Sequence, residues 1–276
     1  MTVTLDKPTG RPPVPDPPRR KTIGVLGLVV LAALIAVHVI AWRKTDISVS
    51  ELVSGWHGLQ NFFSGAFPPD FSWDKVVHPG ITAALVTFYM GLLGTTLSIP
   101  TAFVLALLAS RATNRNAWVY QSARTLLSTL RAIPDVVFAL VFVAAVGLGP
   151  FPGVLALIFH NTGVMGKLWA EAMEESDLGP RDALRVGGAS SAQVATNAVL
   201  PTVLPQIVGL LLYRLDVNVR SSLILGLVGA GGIGFLIDQS IQLFRFDQMV
   251  TQILIVLVLV IAVDQASAFI RKRIAA

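Results

Sequence analysis

Residues 182–201 of this 276-residue chain read DALRVGGASSAQVATNAVLP and separate two long apolar runs. The paired glycines Gly187 and Gly188 interrupt the segment, because glycine is about 1 kcal/mol less favourable than alanine inside a helix. We therefore predict two short helices joined at a glycine hinge. Such an element at a membrane surface offers a partner protein a rigid hold, through which a domain movement can tilt the spans. A plain amphipathic surface helix between two spans is the alternative that these residues leave open.

The composition around this segment is that of a membrane protein. Hydrophobic residues make up 54% of the chain and charged residues 13%, and the mean hydropathy is +0.70, which is too apolar for an ordinary soluble domain. The net charge of +5 comes from basic residues in short clusters between apolar runs, as topology signals do, so no nucleic-acid partner is predicted. The absence of cysteine excludes disulfides and thiolate metal sites. No metal is predicted, because no metal-ligand spacing relates the four histidines: His38, His57, His78 and His160.

Further apolar runs extend outward from the segment in both directions. A transmembrane helix needs about 20 mainly apolar residues, and the positions of the basic clusters predict that both termini are cytoplasmic. We predict an all-α fold, a polytopic transmembrane helical bundle of about six spans. Residues 222–248 are long enough to dip back into the membrane. The expected spans cover residues 23–42, 81–109, 117–148, 154–169, 200–222 and 250–270.

The segment at 182–201 resembles the EAA loop of ABC importer permeases. That loop begins with an acidic residue, an alanine and a small or apolar residue. Three intervening positions separate these from a glycine, and nine intervening positions separate the glycine from an apolar residue, any residue, leucine and proline. Asp182 replaces the usual Glu and Ala198 the usual Ile, which are conservative departures. The residues that the resemblance assigns to coupling with an ATPase are Asp182, Ala183, Leu184, Gly188, Ala198, Leu200 and Pro201.

Three flanking stretches are similar to the phosphonate branch of the same superfamily: LRAIPD at 130–135, YRLDVNVR at 213–220 and LVGAGGIG at 227–234. The likeness covers about residues 81–271. It implies a type I ABC importer permease (MetI-like) fold in the cell inner membrane and transport of phosphonate, with phosphite, hypophosphite or phosphate as alternatives. It also implies a homodimer with a second copy of the chain, two ATPase subunits and an extracytoplasmic substrate-binding protein.

The chain contains no G-x-x-x-x-G-K-[ST] sequence and so lacks a phosphate-cradling nucleotide loop of its own. We therefore expect a partner ATPase to bind ATP and magnesium, with no cofactor and no enzymatic activity in this chain. Residues 1–21 are rich in proline and charge and are expected to form a disordered cytoplasmic tail. The transmembrane permease domain is expected over residues 22–276, with its cytoplasmic coupling segment near 176–201.

Charged residues inside the spans need a partner, a wet cavity or a function, since a charge at the bilayer centre costs about 3 kcal/mol. Asp216 and Arg220 stand four positions apart in the acid-first order and are expected to neutralise each other. Arg214 shares a different face with Asn218 and has no acidic residue three or four positions away. It is expected to contact an anion, either a transported solute or an acid of the bundle. The acids that could pair with it are Asp135, Asp238 and Asp264.

A proline in the third expected span marks a second candidate part of the pathway. Pro134, between Arg131 and Asp135, is expected to kink the helix and release backbone carbonyls toward a cavity. A kink that serves packing alone is the alternative. The complete set of pathway candidates is Arg131, Pro134, Asp135, Arg214, Asn218 and Arg220.

Residues 229–234 match the pattern G-x-G-x-x-G, but no βαβ unit surrounds them, so a dinucleotide-binding turn is not predicted. Glycine permits close backbone approach and unusual backbone angles. We expect close helix packing or a flexible gate near the outer mouth at Gly229, Gly231, Gly232 and Gly234.

Two rival classes remain at this point. An ion-coupled secondary transporter would use Asp135, Asp216 or Asp264 to carry a coupling proton and would transport without an ATPase partner. A passive channel or membrane scaffold would leave the glycine-hinged segment unexplained.

Overall fold

The computed structural model describes residues 24–45 and 48–274. Within these ranges the regular structure is helical, without strands, which confirms the all-α prediction. The chain divides into two units at Leu59 and Gln60. The expected tail at 1–21 lies outside the described residues, and its boundary stays a prediction. The helices are α1 (Val25–Lys44), α2 (Val49–Ser54), α3 (Trp56–Ala66), α4 (His78–Leu108), α5 (Ala117–Ala132), α6 (Asp135–Val146), α7 (Pro150–Glu175), α8 (Leu178–Val186), α9 (Ser191–Val194), α10 (Leu200–Leu225), α11 (Gly232–Gln242) and α12 (Phe246–Ile274).

The first unit contains the apolar helix α1. The 20 residues of α1 are long enough to cross the hydrocarbon core, in agreement with the span expected at 23–42. Its last turn carries Arg43 and Lys44. The helix α2 follows, with the Ser48 side chain accepting a hydrogen bond from the Glu51 backbone at 3.3 Å.

The second unit is a helix bundle with α7 in contact with α4, α5, α6 and α10. Glycines bring the backbones of these helices close together. A Cβ atom on Gly163 of α7 would lie 2.7 Å from the Arg131 backbone nitrogen of α5, and one on Gly91 of α4 would lie 2.9 Å from the Val219 backbone of α10. Small residues serve this purpose in membrane bundles, where helices associate through tight packing.

In the described part of the chain, four helical segments are long and apolar enough to cross a membrane, or five if α5 and α6 form one broken span. The helix at the fourth predicted span, α7, is not among them although it has 26 residues. It carries His160, Asn161 and Lys167. Because α7 is surrounded by other helices, its polar side chains can be satisfied by protein groups, and it does not need the apolarity of a lipid-facing span.

The third expected span, residues 117–148, is broken at Pro134, the proline predicted to kink it. It consists of α5 and α6, which are bent by 82°. Ile133 between them has extended angles of φ −83° and ψ 121°. Proline disfavours the helical conformation in the residue before it. Because Ile133 precedes Pro134, α5 ends at Ala132, and α6 begins at Asp135 in another direction.

The stretch expected as a long loop at 222–248 is mostly helical. The helix α10 runs on to Leu225, a π-helical turn covers Gly226–Ala230, and α11 follows. The helix α11 packs against α4 and α12. Residues 222–248 are therefore part of the packed bundle and mostly regular in structure.

Candidate functional site

The glycine hinge is present in the segment at 182–201. The helix α8 ends at Val186, and Gly188 has a φ of +83°. This left-handed conformation lets the Ala189 backbone N–H donate to the Leu184 carbonyl at 3.0 Å, which satisfies a carbonyl left open at the helix end. The prediction of a helix broken at the paired glycines is confirmed.

The second half of the segment differs from the expected free-standing short helix. A reciprocal capping box starts α9, with the Ser190 N–H donating to Gln193 Oε1 at 2.8 Å and the Gln193 N–H donating to Ser190 Oγ at 3.3 Å. A π-helical turn at Ala195–Val199 then joins α9 directly to α10. The expectation of two separate short helices was wrong for the second, because no residue between Ser191 and Leu200 breaks the helical course. The helical course is therefore continuous from α9 into α10.

A cleft of about 350 Å³ lies between the two halves of the segment. Of the residues matched to the EAA loop, four are exposed, and these are Asp182, Ala183, Gly188 and Pro201. Leu184 and Leu200 are half-buried, whereas Ala198 is buried. The segment thus presents one side outward and is anchored to the bundle by the other. The cleft is lined by Ala183, Leu184, Gly187, Gly188, Ala189, Gln193 and Asn197.

A buried polar cluster occupies the centre of the bundle. Arg214 of α10 is only 8% exposed. Its Nε donates to Asn161 Oδ1 of α7 at 2.8 Å, and its Nη2 donates to Asn218 Oδ1 at 3.2 Å. Asn218 Nδ2 donates to Thr95 Oγ1 of α4 at 2.8 Å, and Asn161 Nδ2 donates to Ser98 Oγ at 2.6 Å. The cluster therefore joins α4, α7 and α10.

The expected pairing of Arg214 with an acid of the bundle is not found. None of Asp135, Asp238 and Asp264 comes within 4.0 Å of its guanidinium nitrogens. Two neutral amide oxygens accept its hydrogen bonds instead. The expectation that Asn218 shares the face of Arg214 is confirmed by their contact.

The pair Asp216 and Arg220 is present as expected. Arg220 Nη2 donates to Asp216 Oδ2 at 2.6 Å and lies 3.8 Å from Asp264 Oδ1 of α12. Arg220 therefore links α10 to α12 by charge. This arrangement gives Arg220 a structural partner and separates it from the cluster around Arg214.

The break between α5 and α6 exposes a backbone carbonyl that another helix uses. His160 Nδ1 lies 3.0 Å from the Ile133 carbonyl, and because a carbonyl only accepts, Nδ1 carries the proton. Asp135 Oδ1 accepts the Val136 N–H at 2.9 Å. Arg131 is exposed. A groove of about 590 Å³ runs along α5 to the break and is lined by Gln121, Arg124, Thr125, Ser128, Thr129, Ala132 and Ile133.

The glycines at 229–234 form a tight turn at one end of the bundle. Gly229, Gly231 and Gly232 all have positive φ angles, between +70° and +95°, and Gly234 packs on the Leu223 carbonyl. The Gly149 N–H donates to the Gly229 carbonyl at 3.0 Å, which ties this turn to the start of α7. The geometry supports the close packing expected here.

Sequence reasoning missed Asn161, Thr95 and Ser98 as parts of the polar cluster. One signal was available for Asn161, since polar residues at 160–162 interrupt the apolar run at 154–169. A polar group in the middle of a span is costly unless it has a partner or a function. Thr95 and Ser98 gave no such signal, because single hydroxyls in a span bond to their own helix, as Thr95 does with the Gly91 carbonyl.

Comparison with protein families decides the class of this bundle. The sequence model of the family described as "Binding-protein-dependent transport system inner membrane component" matches residues 98–276. The chain belongs to this family. The matched residues include the hinged segment, α10 with Arg214, and the glycine turn. The chain is thus a multi-pass membrane component of an ABC importer and acts in transport.

Relatives of this inner membrane component cover nearly its whole length. HtxC of Stutzerimonas stutzeri is 41% identical over 93% of this chain and 88% of its own. The phosphite transport system permease protein PtxC of the same organism is 37% identical over 90% of this chain and 86% of its own. The phosphate-import permease protein PhnE of Mycolicibacterium smegmatis is 36% identical over 86% of this chain and 44% of its own.

Solved structures support the fold of this importer component. It is similar to the inward-facing MetNI methionine ABC transporter, with a TM-score of 0.61, 22% identity, and coverage of 72% of this chain and 95% of that chain. It is also similar to a bacterial alginate ABC transporter, with a TM-score of 0.53, 20% identity, and coverage of 88% and 96%. The MetI-like fold implied by the resemblance is therefore confirmed.

Proposed function

We propose that this importer component carries phosphonate across the cell inner membrane, driven by ATP hydrolysis in a partner subunit. The observation that carries the proposal is the hinged segment at 182–201, which is exposed on one side and continuous with α10 on the other. The substrate class is supported by relatives named for phosphite and phosphate transport. Phosphite, hypophosphite and phosphate are therefore the alternative substrates in the same importer.

The mechanical step follows from the course of the chain. An ATPase subunit docks on the exposed cleft between Leu184 and Gln193. When two such subunits bind ATP and magnesium and close, they displace α9, and the uninterrupted helical course passes the movement to α10. The helix α10 carries Arg214 and Asn218, so the polar centre of the bundle moves with it.

The direct test is transport by the assembled complex in proteoliposomes. The purified chain, its ATPase and its extracytoplasmic binding protein would be reconstituted, and uptake of labelled methylphosphonate, phosphite and phosphate would be measured with and without ATP. We expect uptake only when all components and ATP are present. Uptake by the chain alone, driven by a proton gradient, would instead support the ion-coupled secondary transporter.

Two copies of this chain are proposed to form the permease of one complex. Differently tagged copies should co-purify from membranes that express both, together with the ATPase. The alternative is a pair of two different permease chains. Recovery of one tagged copy per complex, with a second permease protein in the same complex, would establish that alternative.

Both termini are proposed to be cytoplasmic, as the positive charges predict. The chain has no native cysteine, so single cysteines can be labelled without background. Cysteines introduced as Asn114→Cys and Ser191→Cys should react only after the membrane is made permeable. Cysteines introduced as Phe71→Cys and Leu148→Cys should react with an impermeant reagent from outside. The reverse pattern would show the opposite orientation.

A further inference from the structure

Arg214 is a buried cation without a carboxylate partner among the residues that the structure describes. Its two hydrogen-bond partners, Asn161 and Asn218, are neutral amides. Because a guanidinium only donates, both amides must turn their oxygen toward it. The hydrogen bonds fix the position of the guanidinium, and they leave its positive charge uncompensated.

The contrast with Arg220 on the same helix shows that pairing was possible in this bundle. Arg220, which is more exposed, has the carboxylates of Asp216 and Asp264 within 4.0 Å. Arg214, which is 92% buried, has no carboxylate of the residues at 24–45 and 48–274 within that distance. A buried charge without a counter-ion is costly, so such groups in membrane proteins mark a pathway, a cavity or a ligand.

The guanidinium is held rigidly but keeps free donors. Two of the five N–H groups of an arginine side chain are used by Asn161 and Asn218, so three remain. Nη1 makes no hydrogen bond with any residue that the structure describes. The described side-chain atoms that are enclosed without a partner are Trp169 Nε1, Arg181 Nε and Asp216 Oδ1, and Nη1 is not among them. Nη1 therefore borders accessible space. Its N–H groups form the edge that binds an oxyanion through two parallel hydrogen bonds.

The break between α5 and α6 is connected to this guanidinium through α7. His160 Nδ1 lies 3.0 Å from the Ile133 carbonyl at this break, and the next residue of α7, Asn161, accepts the hydrogen bond of Arg214 Nε at 2.8 Å. Two neighbouring residues of α7 thus contact the break and Arg214.

We propose that Arg214 is an anion-binding residue of the translocation route, where it contacts one tetrahedral phosphorus oxyanion through Nη1 and Nη2. This inference rests on the proposed function and adds the site and its chemistry. A single cation with two amide supports suits a transported ion, which must bind well enough to enter and weakly enough to leave. Asn161 and Asn218 are positioning residues that orient the guanidinium.

The decisive variant is Asn161→Asp, which keeps an oxygen 2.8 Å from Arg214 Nε and adds a negative charge there. A carboxylate beside a guanidinium is ionised and competes with the transported anion for the same cation. We expect ATP-dependent phosphite uptake in proteoliposomes to fall by about tenfold or more, since charge-assisted hydrogen bonds are the strong ones. The matched control is Gln206→Glu, the same amide-to-acid change at an exposed position of α10, which should transport like the wild type.

A structural role for Arg214 predicts the opposite result. If the arginine only holds α7 and α10 together, an added carboxylate strengthens that contact, and Asn161→Asp should transport normally with an unchanged or higher unfolding temperature. Normal uptake in a folded Asn161→Asp complex would therefore overturn the proposal. Arg214→Lys keeps the charge without the planar fork, and we expect a raised KM for phosphite with assembly of the complex retained.

The same assay separates this inference from the proposed function. If the wild-type complex transports none of phosphite, methylphosphonate and phosphate with ATP present, the proposed function fails. If the wild type transports one of them and Asn161→Asp and Arg214→Lys transport it equally well, only the anion site fails. Loss of uptake in Asn161→Asp with normal uptake in Gln206→Glu supports both.

Discussion

The Asp216 carboxylate is buried, whereas its partner Arg220 is half-exposed, and their Oδ2 and Nη2 atoms are 2.6 Å apart. The other carboxylate oxygen, Oδ1, is enclosed and has no hydrogen-bond partner in the part of the chain that the structure describes. Arg220 therefore donates the hydrogen bond that Asp216 accepts and links α10 to α12 through Asp264. The two arginines of α10 therefore differ in their partners. Arg220 contacts acids, whereas Arg214 contacts two amides and no acid among the described residues.

Replacement of Arg220 by methionine should destabilise the bundle. Arg220→Met keeps a long side chain but removes the partner of the buried Asp216 carboxylate, and because Arg220 is half-exposed the loss is on the order of 1 kcal/mol, smaller than for a fully buried pair. The unfolding temperature in detergent should fall, and the double variant Arg220→Met with Asp216→Asn should recover part of the loss. Lys272→Met, an equivalent change at an exposed position of α12, is the control. An equal fall in unfolding temperature for Arg220→Met and Lys272→Met would show that the contact of Arg220 with Asp216 does not stabilise the bundle.

Alanine at Gly91 should weaken the contact of α4 with α10, and alanine at Gly209 should not. A Cβ on Gly91 would lie 2.9 Å from the Val219 backbone, while one on Gly209 meets no atom within 4 Å. Alanine gains about 1 kcal/mol in helix propensity at either position, but at position 91 the backbones must separate. We expect a lower unfolding temperature for Gly91→Ala and an unchanged or higher one for Gly209→Ala. The same rise in both would show that α4 and α10 do not approach closely.

The loop before α4 should contribute an acid-sensitive part of the stability. Asp70 Oδ1 accepts hydrogen bonds from Ser72 Oγ at 2.6 Å and from the Ser72 N–H at 2.9 Å. The side-chain bond first, and then the backbone bond, hold the pKa of Asp70 below its ordinary value. A lowered folded-state pKa gives stability that is present above the unfolded value, about 3.9 for Asp, and is lost as the pH falls through the folded value.

The Asp70→Asn variant tests this contribution. The wild type should unfold at a higher temperature than Asp70→Asn near pH 7, and the difference should shrink as the pH is lowered below about 4. Thermal unfolding in detergent at a series of pH values is the measurement. A difference that stays constant across this range would show that the ionised carboxylate contributes nothing.

Much of the fold could be predicted because the apolar runs and the glycine hinge are local signals. The break at Gly187 and Gly188 and the pair of Asp216 with Arg220 follow from spacing along one helix, and both are present. The 82° bend at Pro134 could not be predicted in size. Proline dictates that a helix ends there, but the direction of the next helix is set by packing against α7, which the sequence does not display.

The polar centre could be predicted only in part for the same reason. Arg214 and Asn218 are four residues apart on α10, so their proximity was predictable. Asn161 lies 53 residues from Arg214 in the chain and Thr95 lies 123 residues from Asn218. Contacts at such separations depend on how α4, α7 and α10 are arranged. The sequence therefore indicated that Arg214 needs a partner, and acids were predicted for that role. In the structure its partners are the amides of Asn161 and Asn218.

Valine at Gly188 should uncouple ATP hydrolysis from transport. The φ of +83° at this residue costs other L-residues about 1–2 kcal/mol, and asparagine tolerates it better. No neighbouring atom lies within 4 Å of a Cβ at this position, so the effect of a side chain comes from the backbone conformation of the hinge and not from a clash.

Gly188→Val should abolish substrate-stimulated ATP hydrolysis in the assembled complex while membrane insertion is retained, and Gly188→Asn should keep most of that hydrolysis. Gly187→Ala is the matched control, since Gly187 has a φ of −73° that any residue adopts. Full stimulation in Gly188→Val, measured as ATP turnover with the loaded binding protein, would show that the left-handed hinge is not needed for coupling.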